Sequence, residues 1–114
     1  MYSGSCHCGR ISFEVDGEFS EVMECNCSHC SRKGYLPWFV PRSQLRLKSP
    51  EDSMSSYKFN RHVIDHHFCP SCGCAPFGFW VSSSGAATAA VNVRCLEGVE
   101  FTTLKRNPFD GRRL

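Results

Sequence analysis

Apolar residues recur at every second position over several short stretches of this chain and hardly anywhere at helical spacing. Ile11, Phe13 and Val15 alternate with polar neighbours in RISFEV, Leu45 and Leu47 in QLRLK, and Tyr57 and Phe59 in SYKF. Phe77, Phe79 and Val81 do so in PFGFWV, and Val91 and Val93 in AAVNVRCL. Period two places such residues on one face of an extended strand, so each stretch is read as a short strand. Turn formers lie between them: DGE at 16–18, the Pro37 to Pro41 segment, KSPED at 48–52, SSSG at 82–85 and LEG at 96–98, spaced as in a sandwich or barrel. No long helix is predicted. The alanines of SSSGAATAA favour helix, but the glycine and serines before them mark a loop leading into the strand VNVRC. The pattern predicts an all-β, sandwich-like set of small sheets in a single domain over residues 1–114.

Composition adds little until cysteine is counted. A 41% hydrophobic and 21% charged content is ordinary for a globular protein, and a net charge of +2 gives no reason to expect nucleic acid or membrane as the main partner. No apolar run approaches the ~18 residues of a membrane span, and MYSGSCHCGR has neither the basic nor the apolar region of a secretory signal. A cytoplasmic location is expected. Nine cysteines change the picture. An odd count, no export signal and tight C-x-C and C-x-x-C spacings argue against a disulfide framework. In an extended chain the two thiols of C-x-C sit on one face about 6.5 Å apart, near the upper limit for a bridge. Metal is favoured.

The thiols form four groups: Cys6 and Cys8; Cys25, Cys27 and Cys30; Cys69, Cys72 and Cys74; and Cys95 alone. FCPSCG, residues 68–73, has the form of a zinc knuckle, in which a tight turn points Cys69 and Cys72 at one ion and Gly73 tolerates the backbone just after the second ligand. A structural zinc needs four protein ligands. GSCHCG, residues 4–9, is the natural complement, with Gly4 and Gly9 permitting its bends. CNCSHC, residues 25–30, then supplies three thiolates, the number found at a catalytic zinc whose fourth position takes water or substrate. Three thiolates make zinc a poor activator of water and suit it to a sulfur ligand, which points to a thiol substrate. The alternative is that both ions are structural, with Cys74, Cys95 or a histidine completing the second site. A redox role for C-x-x-C lacks its βαβ context, and SRKG with GRR is too little basic surface for a nucleic-acid zinc ribbon.

In this order and spacing the motifs resemble the glutathione-dependent formaldehyde-activating enzymes and their relative centromere protein V. The resemblance rests on GSCHCG with ISFEV after it, CNCSHC followed by basic residues and Gly34, VPRSQLRL, SYKFNRHVIDHHFCPSCG, VNVRCLEGV and the terminal FDGR. The run from FNRH to HHFCPSCG is closer to the centromere protein V branch. The resemblance implies an Mss4-like fold of small β-sheets stapled by a structural zinc on Cys6, Cys8, Cys69 and Cys72. It implies a second, catalytic zinc on Cys25, Cys27 and Cys30, hence two ions per chain. The reaction it implies is a carbon–sulfur lyase step on a thiol/aldehyde adduct such as S-hydroxymethylglutathione, with glutathione or a similar small thiol as partner. His66 and His62 are the candidates to exchange the proton, because histidine titrates near neutral pH. Arg32 and Lys33, just after the cluster, are candidates to receive a substrate carboxylate. The alternative function is a zinc-stabilised binding module without catalysis, as in centromere protein V or Mss4. Cys95 is expected to be buried as a small hydrophobe, and Cys74 as a buried thiol or alternate ligand.

Overall fold

The computed structural model describes residues 1–58 and 64–113, so Phe59 and His62 lie outside the described residues. Ten strands and one short helix follow in order: β1 (Tyr2–Ser5), β2 (Ser12–Val15), β3 (Glu21–Cys25), α1 (Ser28–Lys33), β4 (Pro37–Pro41), β5 (Leu45–Leu47), β6 (Ser55–Tyr57), β7 (Asp65–Phe68), β8 (Phe77–Val81), β9 (Ala87–Asn92) and β10 (Lys105–Phe109). They make three sheets: β1-β2-β5, antiparallel; β10-β3, parallel; and β4-β9-β8-β7-β6, antiparallel throughout. The chain is therefore mostly β with almost no helix, as the period-two pattern predicts. Among the described residues no helix is long and apolar enough to cross a membrane.

Alternation sends one face of each sheet into a shared core. Phe13 and Val15 of β2 are buried with Leu45 of β5, while Glu14 between them pairs with Arg46 at the surface. From the five-stranded sheet Val40, Ala89, Val91 and Phe77 are buried, and the Phe13 and Phe77 rings meet edge to face at 5.2 Å. Burial of such side chains is the main stabilising term, roughly 1.5–3 kcal/mol each. Asn92, a buried polar side chain at the end of β9, is hydrogen-bonded at both its amide oxygen and its amide nitrogen. Its Oδ1 accepts from Leu36 N (3.3 Å) and Arg94 N (3.2 Å), and its Nδ2 donates to Ala75 O (3.2 Å).

Three local expectations are corrected. The Pro37 to Pro41 segment is the edge strand β4 rather than a turn, and prolines at both ends are tolerated because an edge strand pairs on one side only. The loop after β8 closes within Ser82–Ala86, where Ser82 N donates to Ala86 O (2.8 Å), so the alanines that follow are strand β9. Their small size fits a strand covered on both faces: Ala89 is fully buried on the core face. VNVRC does not continue as strand, because β9 ends at Asn92 and Val93–Cys95 forms a 3-10 turn capped by the Asn92 side chain.

Gly4 sits within β1 rather than in a bend. A Cβ there would fall 2.4 Å from Cζ of Phe13 and 2.9 Å from the carbonyl oxygen of Cys95. The glycine is required by close packing, and Gly4→Ala is expected to destabilise the fold by about 1–3 kcal/mol through displacement of the Phe13 ring. Urea unfolding checks this; an unchanged midpoint would show that the ring moves at no cost.

Candidate metal centre

Two groups of sulfur atoms come together, each with all its Sγ atoms within 4.8 Å of one another: Cys6, Cys8, Cys69 and Cys72 in one, Cys25, Cys27 and Cys30 in the other. All nine cysteines are free thiols, and contacts such as Cys6 Sγ to Cys8 Sγ (3.7 Å) and Cys8 Sγ to Cys69 Sγ (3.5 Å) are far beyond a disulfide bond.

The four-sulfur group is built from two similar turns. In the first, Cys6 N donates to Ile11 O (3.0 Å) and Gly9 N to Cys6 O (3.2 Å), with Gly9 at φ 85°. In the second, Cys69 N donates to Cys74 O (2.9 Å) and Gly73 N to Cys69 O (2.9 Å), with Gly73 at φ 82°, the conformation expected after the second ligand. Backbone N–H groups also point at sulfur: Ile11 N to Cys6 (3.3 Å), Ser71 N to Cys69 (3.3 Å) and Cys72 N to Cys69 (3.4 Å). Such donors favour thiolate over thiol. Cys72 is held down to about 5, first by the backbone N–H of Cys74 and then by that of Cys8.

The three-sulfur group spans the end of β3 and the start of α1. Cys25 closes the strand, Cys27 caps the helix by accepting from Cys30 N (3.3 Å), and Gly34 ends it at φ 69°. Cys27 N donates back to Cys25 Sγ (3.4 Å). Without a cation the three cannot ionise together. Burial, and then its hydrogen bond with Cys27, pushes the Cys30 thiol far up, while N–H donation from Cys30 holds Cys27 down against its own burial. Crowded sulfurs with N–H donors fit a divalent soft metal such as zinc, whose charge relieves that repulsion. No His, Cys, Asp or Glu among the described residues brings a fourth ligand atom within the same distance of all three.

The C-terminal segment holds this group from outside. Strand β10 pairs in parallel with β3, Phe109 opposite Cys25, and Asn26 N donates to Phe109 O (3.1 Å). The Asn26 amide donates to Asp110 Oδ1 (2.9 Å) and accepts from Arg112 N (3.0 Å), and Arg112 Nε donates to Asn26 O (3.2 Å). Gly111 passes so close that a Cβ would lie 2.4 Å from Cys25 Sγ.

The three sulfurs open onto a cavity of about 700 Å³, which does not touch the four-sulfur group. One face of the five-stranded sheet is its floor. Phe39, Ala90, Gly78, His66 and Tyr57 stand opposite one another across all five strands, the reverse of the face that packs the core. Tyr35, Ile64, Trp80 and Arg112 complete much of the wall. His66 packs against His29 at 4.2 Å between centroids, and its pKa falls to about 4, mainly through burial and then through the neighbouring His29. The buried Tyr35 hydroxyl has no hydrogen-bond partner among the described residues, and burial raises its pKa well above the usual value.

Of the residues singled out from sequence, His66 reaches the cavity. Arg32 and Lys33 do not line it: both are exposed on α1, Arg32 donating to Ser28 O (2.9 Å) and Lys33 Nζ lying 5.2 Å from the Phe68 ring centroid. The cation at the cavity is Arg112, within the FDGR motif but not marked there by any spacing rule. Tyr35 and Asn26 also escape sequence reasoning, because their roles arise from chain segments far apart. Cys74 and Cys95 join neither sulfur group; Cys95 is half-buried, with its pKa pushed up to about 12 by burial and then by Cys74.

Comparison with known proteins agrees. The family model described as glutathione-dependent formaldehyde-activating enzyme matches residues 1–107. A crystal structure of a Rhodobacter sphaeroides protein, solved as a structural genomics target, superposes with a TM-score of 0.78 at 29% identity, covering 92% of this chain and 99% of that one.

His66 sets a pH dependence. Its folded pKa of about 4 lies below its ordinary 6.5, so between those values the unfolded chain binds more protons. The neutral ring's stability contribution is complete above pH 6.5 and is lost as pH falls toward 4. Discounted for partial exposure, it amounts to about 1–2 kcal/mol. His66→Gln is expected to flatten the stability profile in that window by this amount. Equal slopes for both proteins in urea unfolding would refute it.

Proposed function

The chain belongs to the glutathione-dependent formaldehyde-activating enzyme family, and from that premise we propose that it is a zinc-dependent enzyme of the carbon–sulfur lyase type. Its substrate class is a thiol/aldehyde adduct such as S-hydroxymethylglutathione, made or broken in the cavity beside Cys25, Cys27 and Cys30. The observation that carries this reading is the asymmetry of the two sulfur groups: the group of three borders a 700 Å³ cavity and the group of four does not. Cys6, Cys8, Cys69 and Cys72 are the ligands of a structural zinc, and Cys25, Cys27 and Cys30 those of the catalytic one, giving two ions per chain.

Zinc, when bound, supplies one thing: it lowers the pKa of a coordinating thiol so that the nucleophile is a thiolate at neutral pH. The rest falls to the chain's own residues. In the synthetic direction a sulfur–carbon bond forms, the carbonyl π pair moves to oxygen, and the proton that left the thiol ends on that oxygen. His66 stays neutral at physiological pH and lines the cavity, placed to hydrogen-bond the reacting group. With its pKa lowered to about 4 by burial it is too weak a base to hold the thiol proton there, which departs from the near-neutral titration expected of it from sequence. Tyr35, which stays protonated, has an uncommitted hydroxyl to donate to the developing alkoxide. Asn26 and Gly111 hold the cluster loop against the C-terminal segment. In this reading the substrate-carboxylate role passes from Arg32 and Lys33 to Arg112; His62 lies outside the described residues. The alternative of a binding module calls for a broad exposed apolar face, whereas the exposed aromatic rings of Phe39 and Phe109 line the cavity itself.

Metal analysis is expected to find two zinc ions per chain. Cys69→Ala should lose folding, whereas Cys27→Ala should stay folded and lose one ion; equal loss of folding in both would overturn the division of roles. X-ray absorption at the zinc edge should register a new sulfur ligand on addition of glutathione or another small thiol, and no change with any thiol would remove the mechanism. His66→Gln should retain both ions and lower kcat by about tenfold, the worth of one hydrogen bond to the reacting group.

A further inference from the structure

Most of the cavity wall is not used by the bond-making step. Gly78 and Ala90 stand side by side on the floor between Phe39 and His66; the Ile64 side chain already lies over Gly78, with Cγ2 3.3 Å from where a Cβ would stand, so the open trough is the part over Ala90. Ile64 and Trp80 border it, and the Phe39 and Trp80 rings meet edge to face at 5.5 Å. Formaldehyde, a single carbon, needs no such trough. An aromatic or branched-alkyl group fits it, since offset and edge-on ring contacts are favourable beyond area burial.

Charge is distributed as narrowly. Among the described lining residues Arg112 is the sole Lys or Arg, and no Asp or Glu is present. The guanidinium is steadied through Nε on Asn26 O, and the backbone N–H of Arg112 is fixed on Asn26 Oδ1. This arrangement matches one carboxylate. Glutathione carries two carboxylates and an ammonium, and the described lining holds no carboxylate to pair with the ammonium.

We propose that the occupant of this cavity carries one aromatic or branched-alkyl group, seated over Ala90 beside Phe39, Ile64 and Trp80, and one carboxylate paired with Arg112. Resting on the reading of the cavity as the site of carbon–sulfur chemistry, this makes the substrate a thiol adduct of an apolar monocarboxylate-bearing compound.

The test uses probes with no thiol, so that it stands apart from the zinc chemistry. Zinc-loaded protein is titrated calorimetrically with phenylpropionate, its uncharged amide, and propionate. Phenylpropionate is expected to bind at least about tenfold more tightly than either of the other two, the difference a charged hydrogen bond or a buried ring supplies. Arg112→Gln should lower phenylpropionate to the affinity of the amide while leaving the amide unchanged. Ala90→Leu, checked for folding by its thermal transition, should abolish binding of both aryl probes. The proposal is overturned if phenylpropionate does not bind, if propionate binds equally well, or if Arg112→Gln leaves the preference over the amide intact. Any of these outcomes leaves the carbon–sulfur reading standing, while a zinc-edge spectrum indifferent to thiols would remove that reading without touching the binding result.

Discussion

Everything in this fold leans on the meeting of Cys6 and Cys8 with Cys69 and Cys72, two turns separated by some sixty residues of chain. The strands are three to six residues long and divided among three sheets, and short strands in small sheets bury too little to be stable one by one. The sulfur junction ties the β1-β2 hairpin to the strand that leads into β8. It thereby sets the Phe13 ring against Phe77, and with it the layer in which Val15, Leu45, Val91 and Ala89 are buried. Gly4 belongs to the same constraint, since the hairpin approaches the Cys95 carbonyl too closely for any side chain at that position.

Once the large sheet is held on its core face, the opposite face is available for chemistry. Strand alternation then decides the site: Phe77, Ala89 and Val91 fill the core, and Gly78, Ala90 and His66, one residue on, form the cavity floor. The function of this face depends on its small residues. Gly78 is already crowded, with Cγ2 of Ile64 at 3.3 Å from where a Cβ would stand. A sheet whose two faces serve different ends leaves few positions where sequence is unconstrained, which is why alanine, a helix former in isolation, occupies so much of β9.

Much of this architecture is legible in the chain's own pattern. The alternating runs at 11–15, 45–47 and 77–81 correspond to β2, β5 and β8, and the cysteine spacing sorts the thiols into the groups of four and three that the fold assembles. What the pattern hides lacks a local signal. YSGS and EVMEC carry no apolar alternation, and KRNPF contains a proline; β1, β3 and β10 exist because of the partners the tertiary fold supplies. The helix α1 is only six residues long, with a cysteine as its cap, so neither periodicity nor the usual capping residues announce it. Arg112 comes to the cavity from more than eighty residues beyond the cluster, bonded to Asn26 within it, a pairing that no local signal marks. Arg32 and Lys33 are adjacent to the cluster in sequence, but the helix turns them outward.

The two sulfur groups differ in how they are held, and under the proposed division of roles the difference follows from what each must do. In the group of four, Cys6 and Cys69 are buried, Cys72 is half-buried and Cys8 is exposed, and each turn is closed by its own backbone hydrogen bonds, so the geometry is set by local chain closed on itself. In the group of three every sulfur is half-exposed, and the loop is held from outside, by Asn26 bonded to Asp110 and Arg112 near the end of the chain. A site that exchanges ligands needs an accessible face, and accessibility removes the packing that would otherwise fix its loop. The C-terminal segment braces the cluster loop through Asn26 while contributing Phe109 and Arg112 to the cavity wall. Bracing and cavity wall thus share one stretch of chain, so any change that loosens FDGR acts on the sulfur cluster and on Arg112 together.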